Sequence, residues 1–177
     1  MITHFSLLPV LIMFSIIFFS CSQSKFIENS RVDYDWNYEL EAENTGTAGS
    51  YLVKVWSYTD QSNMPIHLAT RNAVHGVLFK GFPDKERISG QKAIIRNQET
   101  RAKHQEYFQN FFKEGGPYQQ YVTLTNAGKI LPGDRIRLGT DENSTYKIGM
   151  VVQVNVADLR RHLEEDGIIR PLGDIFN

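Results

Sequence analysis

The apolar positions of this chain fall into two periods, and each change of period marks an element. In YKIGMVVQVNV, Tyr146, Ile148, Met150, Val152, Val154 and Val156 alternate with Lys147, Gly149, Val151, Gln153 and Asn155. A period of two puts the first set on one face of a strand, and a wholly apolar face makes that strand central in its sheet. The period then lengthens without a spacer. In ADLRRHLEEDG, Asn155 and Asp158 form a capping-box-like start, Leu159 and Leu163 share a face, and Gly167 before Ile168 predicts a Schellman end. Glu164, Glu165 and Asp166 sit at the negative end of this helix, at a cost of roughly a few tenths of a kcal/mol each. Burial of the leucines outweighs that at about 25 cal/mol per Å² of apolar surface.

Nearer the N-terminus, YLVKVWSY over residues 51–58 is rich in β-branched and aromatic residues and predicts a second strand. In MPIHLATRNAVHGVLFKGF, Asn63 is expected to cap a helix with Pro65 in its first turn. Ile66, Ala69 and Ala73 form its inner face, Gly76 marks its exit, and VLFKGF continues as a strand. These make a β-α-β unit, for which a helical crossover predicts parallel strands. VDYDWNYELEAEN places Tyr34, Trp36, Tyr38 and Leu40 opposite Asp33, Asp35, Asn37 and Glu39, as a solvated edge strand would. A helix is expected between Gln98 and Lys113, with Tyr107, Phe108, Phe111 and Phe112 packed into the core and Gly115-Gly116-Pro117 as its stop. Tyr121–Thr125 and DRIRLG add short strands. The fold class expected is α/β (α+β): a two-layer sandwich of a mixed sheet with helices packed on one face.

One apolar run belongs to neither pattern. From Phe5 to Phe19 only Ser6, Pro9 and Ser15 interrupt it, and Ser20-Cys21 ends it. A spanning helix needs roughly 20 apolar residues, whereas a secretory core is shorter. Phe18-Phe19-Ser20-Cys21 resembles the lipobox of bacterial lipoproteins, in the aromatic-tolerant form found in Bacteroidetes. That resemblance implies lipidation of Cys21 as the mature N-terminus, and a lipid-anchored protein of the outer membrane. The segment before the run departs from the pattern, carrying His4 but no lysine or arginine. A single spanning helix and an ordinary secretory peptide are the alternatives. Cys21 is the sole cysteine, so no internal disulfide competes for it. The organisation expected is a signal peptide over residues 1–20, a lipidated tether and first strand over 21–50, and one α/β domain over 51–177.

Charge narrows the partners. With 19 Lys plus Arg against 20 Asp plus Glu, the net charge of −1 leaves no footprint for nucleic acid. RNAVHGVLFKG invites a phosphate-loop reading, but its glycines follow a helix instead of opening one. His67, His75, His104 and His162 lack metal-ligand spacing, and each is expected on the surface or half-buried. No G-x-S-x-G occurs, and Asp134, Asp141 and Glu142 lack the spacing of a calcium loop. The chain therefore predicts no catalytic residue, metal or cofactor. The candidate binding residues are Trp36, Trp56 and Tyr58, with Arg160 and Arg161 as a docking surface.

VKVWSY, ATRNAVHGVLF and YKIGMVVQVNVADLRRHLEEDGI together resemble the strand–helix–strand and strand–helix blocks of small outer-membrane lipoproteins of the flagellum-associated family. The resemblance implies an envelope structural or assembly component without chemistry of its own, partnered by the membrane and other envelope proteins. Two alternatives stand beside it. One is a lipoprotein that binds a small molecule or glycan, needing a pocket lined by Trp36, Trp56 or Tyr58. The other is a hydrolase-like enzyme, needing polar groups converging from His75, Lys80 and the acidic loops.

Overall fold

A computed structural model describes residues 36–140, 145–171 and 173. The apolar leader with Cys21, the aspartates at 33 and 35, Tyr34, and the Asp141-Glu142 pair lie outside the described residues. In chain order the elements are β1 (Tyr38–Thr45), β2 (Ser50–Thr59), α1 (Ile66–Phe79), β3 (Gly81–Phe82), β4 (Gln91–Lys92), α2 (Gln98–Lys103), α3 (Gln105–Phe112), β5 (Val122–Leu124), β6 (Arg135–Leu138), β7 (Thr145–Asn155) and α4 (Val156–Glu165).

The main sheet runs β1-β2-β7-β5, with β6 also paired to β7, so β7 is central and β1 lies at an edge, as their patterns predict. Register places Val53 opposite Val152 and Val55 opposite Met150. Those four, with Tyr38, Ala42, Ile148 and Val154, are buried on one face. Ala69, Ala73, Val74, Val77 and Leu78 of α1 are buried with them, giving a sheet layer and a helix layer around one core. The other face carries Glu39, Glu41, Lys54, Trp56, Tyr58 and Lys147, which alternate with the buried set.

The parallel crossover is not made. Every strand pair is antiparallel among the described residues, and VLFKGF yields only Gly81-Phe82, which pairs with Gln91-Lys92. Helix α1 does not stop at Gly76 but continues to Phe79. Periodicity does not separate a short continuous apolar run in a buried helix from one in a strand. A Cβ on Gly76 would collide with Leu40 and would come within 3.1 Å of the Tyr38 ring. Glycine there serves the close approach of α1 to β1. Asn63 is not the cap: Pro65 holds that position, while Asn63 Oδ1 accepts a bond of 2.9 Å from Arg135. Ile66, expected inward, is 45 % exposed.

The Pro83–Pro117 segment is fastened to the end of α1. The amides of Ile94 and Ile95 donate to the carbonyls of Val77 and Leu78 at 3.3 and 2.9 Å, satisfying groups that a helix C-terminus leaves without partners. The expected Gln98–Lys113 helix is divided at His104 into α2 and α3. Phe108, Phe111 and Phe112 are buried as expected, and Tyr107 is half-buried. At the C-terminus, Asn155 accepts from the Asp158 amide, and the Ile168 amide reaches the Leu163 carbonyl past Gly167 at φ 69°.

Candidate functional site

His75 lies on the part of α1 that crosses β1, three residues after Asn72 and directly before Gly76. Close packing at Gly76 brings its imidazole against the residues that lead into β1. Trp36 stacks on it with ring centroids 3.5 Å apart and planes within 9°. Tyr38 meets it edge-on, with Oη 2.6 Å from Nδ1. The third partner comes from α2. Asn97 Oδ1 accepts from the Glu99 amide at 2.8 Å, which starts that helix and sets Arg101 one turn in. An Arg101 Nη then lies 3.3 Å from His75 Nε2. Arginine has no acceptor, so Nε2 accepts and Nδ1 carries the proton that it donates to Tyr38 Oη.

Charge around the ring is all of one sign. Burial, and then Arg101, Lys80 and Arg71, push His75 down to about 2, so the imidazole is neutral. Burial holds the Tyr38 phenol above its ordinary value. Lys80 Nζ sits 3.8 Å from the Tyr38 ring centroid and donates to the Trp36 and Tyr38 carbonyls at 3.3 Å each. Burial lowers its proton affinity, and Arg101 adds to the effect.

Beside this cluster opens a cavity of about 420 Å³. Trp36, His75, Phe79, Phe108 and Phe112 supply its aromatic wall. Phe108 and Phe112 are four apart on α3 and so share a face, as do Gln105 and Gln109. Those two amides, with Gln98, Arg101 and Ala102, make the exposed side of the pocket. No carboxylate lines it among the described residues. Arg101 lies over Phe79, with Cζ 4.5 Å from the ring centroid.

Of the candidate binding residues Trp36, Trp56, Tyr58, Arg160 and Arg161, Trp36 alone lines this pocket. Trp56 is on the opposite sheet face, with Nε1 donating to Glu41 at 3.3 Å and Lys54 and Lys147 at 5.6 and 5.4 Å from its ring. Tyr58 donates to Glu39 at 2.6 Å on that same face. Arg160 and Arg161 belong to α4, where Arg160 pairs with Glu164 at 2.9 Å and Arg161 with Asp158 and Glu165. The structure thus does not bring the three aromatics together. His75 and Lys80 do converge, around Tyr38, but Asp134 is buried elsewhere against Lys54 at 3.0 Å. His75 also departs from expectation in being 2 % exposed. No group of His, Cys, Asp and Glu that would hold a metal ion occurs among the described residues.

Pattern reading missed Arg101, Phe79 and the Tyr38–His75 bond. The available signal was the pair of i,i+4 repeats Gln105/Gln109 and Phe108/Phe112, which sets amides beside aromatics on adjoining faces of one helix. No family model matches the chain, and neither does any curated protein or solved structure.

Proposed function

We propose that the protein is a lipid-anchored lipoprotein of the bacterial outer membrane whose domain binds a small organic ligand beside His75. The observation that carries this reading is the cavity of about 420 Å³. Ligand pockets span roughly 300–1,000 Å³ and combine apolar walls with a few placed polar groups. Here Trp36, Phe79, Phe108 and Phe112 are the wall, and Gln98, Gln105, Gln109 and Arg101 the polar groups. The chemistry of the site supports binding over catalysis. A neutral His75 with so low a proton affinity is a poor general base near neutral pH, and Tyr38 is a poor acid. The anchor is supported by the apolar run that ends at Ser20-Cys21 and by the lack of a second cysteine.

Ala102→Trp tests the pocket. Ala102 is exposed on α2 and lines the cavity, so an indole there fills space without removing a core residue. The variant is expected to melt like the parent and to lose at least about ten-fold in affinity for aromatic probes, a difference near 1.4 kcal/mol. Equal probe affinity in the two proteins sinks the pocket reading. A structural or assembly role is the second reading, favoured by Ile136 and Leu138 on β6, which are 43 % and 39 % exposed. It gains ground if Ala102→Trp leaves the cellular role intact.

A further inference from the structure

Resting on that reading of the pocket, we infer that its ligand is a small organic anion with a flat unsaturated body, and that Arg101 receives the anionic head. A guanidinium offers five N–H donors in a rigid fork suited to carboxylate-like groups. Among the described residues the polar partner of Arg101 is His75 Nε2, at 3.3 Å, a single uncharged acceptor. No carboxylate pairs with it there, although its charge lies at the exposed side of the cavity. Arg160 and Arg161 on α4 each have a carboxylate within 4 Å, whereas Arg96 and Arg135, like Arg101, bond to neutral acceptors. What sets Arg101 apart is that its guanidinium lines the cavity. The surroundings of Arg101 are amides and aromatic rings, which orient a head group without neutralising it. An anion entering here exchanges a neutral imidazole acceptor for a charged one, and charge-assisted bonds are roughly twice as strong as neutral ones.

The body of the ligand follows from the walls. Trp36 and His75 already lie parallel, and Phe79, Phe108 and Phe112 present edges and faces around the same space. Such a wall favours a planar ring system over a branched or heavily hydroxylated one. A neutral glycan is the poorer match, because it leaves the guanidinium unneutralised and supplies hydroxyls to a mainly apolar wall.

The test uses naphthoate and naphthamide, which share an aromatic body and differ in charge. Each is titrated calorimetrically into the full-length protein in detergent, with Ala102→Trp as the control for micelle and surface uptake. Naphthoate is expected to bind at least about ten-fold more tightly than naphthamide, the scale of one charge-assisted interaction. Arg101→Gln should reduce that preference to within about three-fold, leaving naphthamide unaffected. Gln105→Glu, one turn from Arg101, should have the same effect by supplying an internal carboxylate, and it keeps the test open if Arg101→Gln fails to fold. Equal binding of both probes, unchanged in the two variants, overturns the anion inference and leaves the pocket standing. Binding of neither probe, or equal binding to Ala102→Trp, overturns the pocket reading and this inference with it.

Discussion

A histidine enclosed by four aromatic rings and three cations holds a proton poorly, and that has a consequence for folding. In the unfolded chain His75 titrates near the ordinary histidine value of 6.5, whereas in the fold burial and the neighbouring cations push it down to about 2. Between those values the unfolded state binds a proton that the native state refuses, so stability falls as pH falls through that window. The maximum slope for one proton is about 1.4 kcal/mol per pH unit. His75→Gln keeps a neutral polar group and removes the titration. Urea unfolding from pH 7 to pH 4 should therefore show a shallower acid loss for the variant, whatever its absolute stability. Parallel profiles would count against a buried neutral imidazole. Gly76, the next residue, shows how tightly this position is specified, since a single methyl there meets Leu40 and Tyr38.

Among the elements, α4 is held by both ends and by its inner face. Leu159 and Leu163 are fully buried, Asn155 caps the start, and the Ala157 amide donates to the Gly49 carbonyl in the β1–β2 turn at 3.0 Å. Leu163→Ala should destabilise the domain by about 2–5 kcal/mol, from lost transfer energy plus a residual cavity. Arg161→Ala, on the exposed face of the same helix, should change stability by less than about 0.5 kcal/mol. Denaturant melts of the two variants check this, and a Leu163→Ala protein as stable as its parent would contradict the packing. This element was readable because β7 and α4 each carry one period, with a cap residue between them. The helical stretch of α1, with its inward Ala69 and Ala73, was readable too. Its end was not, because Val77 to Phe79 form a short apolar run with no distinguishing period and Gly76 serves tertiary packing, which no local pattern announces. The division at His104 was equally invisible: the flanking sequence is good helix throughout.

At the scale of the molecule, the sheet separates two kinds of surface. Its buried face makes the core under α1, while its open face is a lattice of ion pairs, among them Lys147–Glu39 at 2.8 Å and Lys85–Glu41 at 3.5 Å. Trp56 and Tyr58 are bound into that lattice, so a reading by residue type alone ranked them with Trp36 although they serve a different surface. The pocket depends on the Pro83–Pro117 segment, whose α2 and α3 place Arg101 and two phenylalanines beside His75. Such a long-range meeting is set by the bonds from Ile94 and Ile95 to the end of α1, and sequence spacing does not encode it. Binding and anchoring should accordingly be separable. All pocket residues lie at Trp36 or beyond, whereas the proposed acyl chains sit on Cys21. One acyl chain gives only marginal, reversible membrane binding, and each buried CH₂ contributes about 0.8 kcal/mol, so two or more chains make a stable anchor. Cys21→Ser should abolish metabolic labelling with palmitate and move the protein from the membrane to soluble or unprocessed fractions. Its affinity for naphthoate should remain within about three-fold of the parent's. Continued palmitate labelling of Cys21→Ser would remove the lipoprotein assignment, and a loss of naphthoate binding in that variant would show that the pocket is not independent of the anchor.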